Sequence, residues 1–342
     1  MLAVVVRGPG EYGVEEVPEP VYGDYEALVR ISHCGICTGT DRHIIAGKEH
    51  FPYLAPYPTV LGHESVGDVV AVGSSVRYLK EGDVVLRAMT GALPGYSSTF
   101  GGMAEYGVVG DARAIAEDAP CSPVRLPRPM AYQQKVPPDF DRAGAGVFIT
   151  FKETLSAAQD FGVQAGSRVL ILGGGGGGQC FVRACKLLGA EEVIAVGRRS
   201  APLERAAEMG ADQCINSAGT NIASAVREAI GGGCTHVIDA VGSNDLLQQG
   251  LELLAPGGQL GQYGVPPARQ ITLDWSAAPA GVSMEILAPQ EHRVHKLCLD
   301  WVRLRFFDPR SLLDAVLPLG EVHKAFELIE DQQAMRVTLT LT

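Results

Sequence analysis

Six consecutive glycines, Gly173 to Gly178, follow the apolar run Val169-Leu170-Ile171-Leu172. They precede Phe181, Ala184, Cys185 and Leu188, which share one helical face. A strand that turns through glycine into an amphipathic helix narrows the architectures open to the chain. The run satisfies G-x-G-x-x-G at Gly173, Gly175 and Gly178, with Gly176 and Gly177 in the interval. Glycine permits the tight turn and lets the backbone approach a pyrophosphate, whose charge is stabilised at the helix N-terminus. Because both the strand and the helix are present, a dinucleotide site is expected here rather than a flexible linker.

The segments around this turn repeat its rhythm. From about residue 151 the strand-like pieces SRVLILGGGGGGQ, EEVIAVGRRS, ADQCINS, THVIDAVGS and GGQLGQYGV alternate with helical stretches, which predicts a doubly wound parallel sheet. The first third differs. Its short runs LAVVVRG, EALVRIS, SVGDVVAVG and EGDVVLR, separated by Gly and Pro, predict an all-β, barrel-like domain. Near the C-terminus, Val294, Leu297, Cys298, Trp301 and Val302 recur at helical spacing, and AFELIEDQQAMRVTLTLT predicts a closing helix and strand. The segment from Asp111 to Val136 is proline-rich and is read as an irregular surface loop.

Composition restricts the partners. The 342 residues suffice for two domains, and 46% hydrophobic with 20% charged residues is globular rather than disordered. A net charge of -11 argues against nucleic acid and anionic membranes and favours a small-molecule substrate. No basic leader before an apolar stretch and no run of about 18 apolar residues is visible, so a cytoplasmic location is the default. The eight cysteines are scattered, unlike a secreted disulfide framework, and most read as small buried hydrophobes.

The strand Val193-Ile194-Ala195-Val196 should end on the residue that meets the adenosine ribose. NAD sites usually place Asp or Glu there. This chain has Gly197, Arg198, Arg199 and Ser200. The missing carboxylate removes repulsion toward a 2′-phosphate, and two guanidinium groups can bind it, so NADP is preferred and NAD remains possible.

Residues 62 to 76, GHESVGDVVAVGSSV, place His63 and Glu64 before a glycine-punctuated strand whose Val69–Val72 run should be buried and rigid. This spaced pattern resembles the signature of zinc-dependent alcohol dehydrogenases of the medium-chain dehydrogenase/reductase superfamily. The resemblance extends over nearly the whole chain, including GGMAEY, and lies closest to the polyol, sorbitol and threonine dehydrogenase-like branch. It implies a GroES-like catalytic domain over 1–150, completed by a tail from about 287 to 342, and a Rossmann domain over 151–286.

The resemblance also implies a catalytic zinc with three protein ligands and an open position. In HCGICTGTDRHI, residues 33 to 44, Cys37 matches the thiolate ligand, although one extra residue stands between it and Thr40-Asp41; Cys34 is the alternative. His63 is the second ligand. FKETLSAAQDFGV resembles the branch's E-P-L-[SA] segment, which makes Glu153 the third. Thr40 and His43 match the proton relay, Asp41 the carboxylate that orients His63, and Glu64 the acidic group behind the metal. His33, His50, His236, His292, His295 and His323 lack such company.

Relatives with a structural zinc carry four clustered cysteines, whereas Arg87 to Tyr106 holds none, so one zinc per chain is expected. The implied activity is hydride transfer between a secondary alcohol, such as a polyol, cyclitol or sugar derivative, and NADP, in a homodimer or homotetramer. Two readings compete with it. A zinc-free NADPH-dependent enone or quinone reductase leaves Cys37, His63 and Glu153 without a purpose, and a non-catalytic NADP-binding protein would show no zinc-dependent turnover.

Overall fold

The computed structural model describes residues 1–49, 51–91, 93–119, 128–266 and 270–341. It contains two compact units, Met1–Ile149 with Asp308–Thr342, and Thr150–Phe307.

The second unit is built on six parallel strands. Their spatial order is Gln213–Asn216, Glu192–Gly197, Arg168–Leu172, Cys234–Asp239, Leu254–Gln262 and Ser283–Ile286. Numbered along the chain this is 3-2-1-4-5-6, the Rossmann order with its switch point beside Arg168–Leu172. Alternation along that strand explains the layering. Leu170 and Leu172 join a core with Ile222, Val226, Leu247 and Leu251, while Val169 and Ile171 are equally buried on the opposite face. Each such side chain contributes about 1.5–3 kcal/mol by leaving water.

The glycine turn belongs to this second face. The helix Gly176–Leu187 starts at Gly175, and a Cβ on Gly178 would stand 1.8 Å from the Gly173 carbonyl oxygen, so only glycine lets the helix pack this close. The Gln179 side chain donates to the Gly174 and Pro202 carbonyls, at 3.0 and 3.1 Å, and holds the turn in shape.

The first unit is β-rich. A three-stranded sheet runs Glu11–Glu16, Leu2–Gly8, Thr59–Val60. A larger sheet runs Ala315–Pro318, Val337–Thr340, Glu26–Gly35, Glu64–Val72, Val84–Leu86, Lys135–Val136, with Tyr106–Gly110 also pairing with Glu26–Gly35. The returning strand Val337–Thr340 sets Leu339 opposite Cys34 and Thr338 opposite Gly35.

Three expectations need correction. In Glu64–Val72 the buried residues are Glu64 to Gly67 and Val69, whereas Val70 and Ala71 are half-buried and Val72 is 37% exposed; the rigidity sits directly behind His63. The segment read as an irregular loop contains the helix Ala112–Asp118. Asp111 caps it by accepting from the Ala114 N–H at 2.9 Å, and also accepts from the Arg77 and Tyr78 N–H groups at 2.7 Å. Residues 120–127 of that segment, Cys121 among them, lie outside the described residues. Finally, the tail divides at Phe307/Asp308 rather than near 287. Phe307 stacks on Phe151 at 4.0 Å between centroids, and Glu291 pairs with the fully buried Lys152 at 3.6 Å, which ties 287–307 to the second unit.

Candidate active site

Cys37 lies just past the strand Glu26–Gly35, where the chain leaves the sheet for the short helix Thr40–Ile45. The extra residue between Cys37 and Thr40 is absorbed by this helix entry. The Asp41 N–H donates to the Cys37 carbonyl at 2.9 Å, the Cys37 N–H donates to Asp41 Oδ2 at 2.8 Å, and the Thr40 N–H points at Cys37 Sγ at 3.5 Å. The Cys37 sulfur thereby faces one amide donor while remaining partly accessible. Cys34 is different. It sits inside the sheet, fully buried, with its Sγ on the Gly35 carbonyl, and burial together with the Asp41 charge pushes its thiol well above the ordinary range.

His63 follows Gly62, whose φ of +92° an L side chain would strain. The His63 carbonyl accepts from Arg87 Nη1 at 3.0 Å, and its ring lies against Phe100 with centroids 5.1 Å apart. His63 Nδ1 and Asp41 Oδ1 face each other at 3.7 Å, outside hydrogen-bond range, and neither buried atom has a hydrogen-bond partner among the described residues. Burial opposes a charge on His63, but the Cys37 sulfur and Asp41 outweigh it and hold its imidazole well above the usual range. Burial also raises the Asp41 carboxyl, against the pull of His63 and the Cys37 N–H.

One ligand atom from each of Cys37, His63 and Glu64 lies within 4.8 Å of the other two. Ligands about 2.0–2.3 Å from one zinc ion stand within about 4.6 Å of each other, so this soft, borderline and hard donor set fits zinc with little adjustment. Glu64 had been expected behind the metal; here its carboxylate belongs to the donor cluster and also meets Arg336 Nη1 at 3.3 Å. Arg336 carried no sequence signal beyond being a charge inside a strand-like run.

His43 Nδ1 faces the Gly39 carbonyl, which makes Nδ1 the protonated nitrogen and leaves Nε2 for exchange. Its ring stacks on Phe51 at 5.3 Å. Thr40 and His43 share the helix, but no hydrogen bond joins the Thr40 hydroxyl to the ring among the described residues. His50 lies outside the described residues.

In the second unit Glu153 lies on the helix Ala145–Asp160, and its Oε2 accepts from the Tyr263 hydroxyl at 3.2 Å. Tyr263 was missed by the sequence reading. Gly175 has open space where a Cβ would be, as a backbone approached by a pyrophosphate requires, and Gly197 packs on Gly174. Arg198 is exposed without an ion-pair partner among the described residues, Arg199 is half-buried, and Ser200 opens the helix Ser200–Glu208.

Residues 23–119 match the alcohol dehydrogenase GroES-like domain and residues 176–285 the zinc-binding dehydrogenase domain. A protein of Mycobacterium tuberculosis named as a probable zinc-binding alcohol dehydrogenase is 31% identical over 350 residues, covering 95% of this chain and 84% of that protein. Human sorbitol dehydrogenase is 30% identical over 271 residues, covering 77% and 74%. The structure of alcohol dehydrogenase TADH from Thermus sp. ATN1 superposes with a TM-score of 0.81 at 26% identity, covering 100% of both chains. The chain belongs to the zinc-dependent alcohol dehydrogenases of the medium-chain dehydrogenase/reductase superfamily, NAD(P)-dependent oxidoreductases acting on CH–OH groups. Among the described residues no helix is long and apolar enough to cross a membrane.

Proposed function

We propose that the protein interconverts a secondary alcohol and its ketone, with NADP as the preferred cofactor and one zinc ion per chain. The observation that carries this reading is the cluster of Cys37, His63 and Glu64, whose ligand atoms lie within 4.8 Å of one another. Cys37 and His63 hold the metal, with Glu64 beside them; Glu153 is assigned as a further ligand from its sequence segment. Bound zinc supplies Lewis-acid polarisation of a substrate oxygen, and the nicotinamide supplies the hydride acceptor.

The protein's own residues do the rest. Asp41, whose carboxylate faces His63 Nδ1 at 3.7 Å, orients the ring by electrostatic attraction rather than by a direct hydrogen bond. Thr40 accepts a hydrogen bond from the substrate hydroxyl, and His43 passes its proton outward through Nε2. The glycine turn seats the pyrophosphate and Arg198 and Arg199 receive the 2′-phosphate. Similarity to sorbitol dehydrogenase supports a polyol, cyclitol or sugar derivative as substrate.

Elemental analysis of protein purified without chelator, followed by a screen of alcohols and ketones with both cofactors, tests this. One zinc per chain and turnover abolished by Cys37→Ser are expected, with Cys34→Ser retaining the metal. Two zinc ions on specific sites, none, or loss of the metal only in Cys34→Ser would overturn the assignment.

A further inference from the structure

We propose that Tyr263 is a positioning residue that fixes the direction of the Glu153 carboxylate. The proposal rests on the assignment of Glu153 to the metal. Tyr263 stands one residue beyond the strand Leu254–Gln262, at the carboxyl edge of the parallel sheet, where open α/β sheets bind their ligands. Its backbone is pinned there, since the N–H groups of Tyr263 and Gly264 both donate to the Asp239 carbonyl at 2.9 Å.

The ring is equally constrained. It crosses the ring of the fully buried Phe181 with centroids 4.8 Å apart and the planes at 87°. A Cβ on Gly177 would lie 3.8 Å from Tyr263 Cε1, so the ring also rests on the first turn of the glycine-led helix. This packing fixes the position of the phenol oxygen, which donates to Glu153 Oε2 at 3.2 Å. A carboxylate has about four lone-pair sites on two oxygens. Occupying one of them with a donor on a packed ring narrows the orientations open to the carboxylate. A hydrogen bond from the protein to a ligating carboxylate is the usual means of fixing its approach to a metal.

The test is a double-mutant cycle read by zinc affinity, which requires no knowledge of the substrate. Zinc dissociation constants are measured by chelator competition for the unmodified protein, Tyr263→Phe, Glu153→Gln and the double variant. Melting temperatures and NADP affinity are recorded for each. Phenylalanine keeps the ring packed on Phe181, so the fold and the dinucleotide affinity stay unchanged. Tyr263→Phe is expected to weaken zinc binding about 10- to 100-fold and to have no effect when Glu153 is already Gln.

If Glu153→Gln weakens zinc binding and Tyr263→Phe does not, the carboxylate assignment survives and the positioning role is overturned. If Tyr263→Phe weakens zinc equally in both backgrounds, its role is general packing and the proposal also falls. If Glu153→Gln leaves zinc affinity unchanged, the assignment of Glu153 to the metal fails, and the proposal with it.

Discussion

Arg336 Nη1 lies 3.3 Å from both carboxylate oxygens of Glu64, although the two residues are 272 positions apart in the chain. Glu64 is 2% exposed and Arg336 9%, so this is a buried pair with one end in the candidate metal-binding cluster. Removing one partner leaves a charge without compensation in a low-dielectric setting. Arg336→Met is therefore expected to lose about 3–5 kcal/mol in urea unfolding, and Arg336→Met with Glu64→Gln to recover part of it. Additive losses in the two single variants would show that the pair carries no coupling.

Cofactor choice follows from the end of the second Rossmann strand. Gly197 offers no carboxylate to the ribose hydroxyls, and each charge-assisted bond that Arg198 or Arg199 made to a 2′-phosphate would contribute roughly 1.5–3 kcal/mol. Catalytic efficiency with NADP should exceed that with NAD by about tenfold or more. Replacing both arginines with neutral residues should erase most of the difference by weakening NADP alone. Equal efficiency in the unmodified enzyme would mean that both side chains serve only the solvent.

For the proton relay the informative variant is His43→Ala. Turnover in alcohol oxidation should fall by about 10²-fold or more at and below neutral pH, where alkoxide formation is hardest without help, while zinc content stays the same. The deficit should narrow as the pH rises. A pH-rate profile parallel to that of the unmodified enzyme, under conditions where chemistry limits the rate, would remove His43 from the relay.

A separate pH effect belongs to the Rossmann core. Burial holds His236 below the usual imidazole range, against the opposing bond to the Phe161 backbone, and its ring lies 5.2 Å from that of Phe161 between centroids. A depressed folded value means that the unfolded chain takes up the proton first. The stability is full above about pH 6.5 and declines as pH falls from there through the folded value. His236→Gln should flatten the fall in melting temperature between about pH 7 and 5. Part of the slope will remain, because burial and Arg142 lower His33 as well. An unchanged slope would show that His236 takes no part in it.

The sequence disclosed what is local and periodic. Strand–glycine–helix at 169–188 and the alternation after it were sufficient for the parallel sheet, since each piece carries its own period. The spacing from Gly62 to Val76 singled out His63, and the family resemblance of residues 33 to 44 singled out Cys37 with Cys34 as the alternative. What stayed hidden depends on partners far along the chain. The pairing of Arg336 with Glu64 and of Tyr263 with Glu153 follows from strand order, which leaves no periodic trace. The helix Ala112–Asp118 was masked by the prolines that follow it, although Asp111 is a recognisable cap. Trp301 showed helical spacing correctly, but spacing does not say which unit a helix joins.

The strand Val337–Thr340 closes onto Glu26–Gly35. At about 5–20 residues per second, a ribosome delivers Arg336 roughly 15–55 s after Glu64. Throughout that interval the nascent first unit has an open strand edge at Cys34 and a Glu64 carboxylate whose arginine does not yet exist. An unpaired edge is a template for other chains. The timetable of synthesis thus gives chaperones a window at this edge, and places the arrival of the Glu64 counter-charge after the entire dinucleotide-binding unit has emerged.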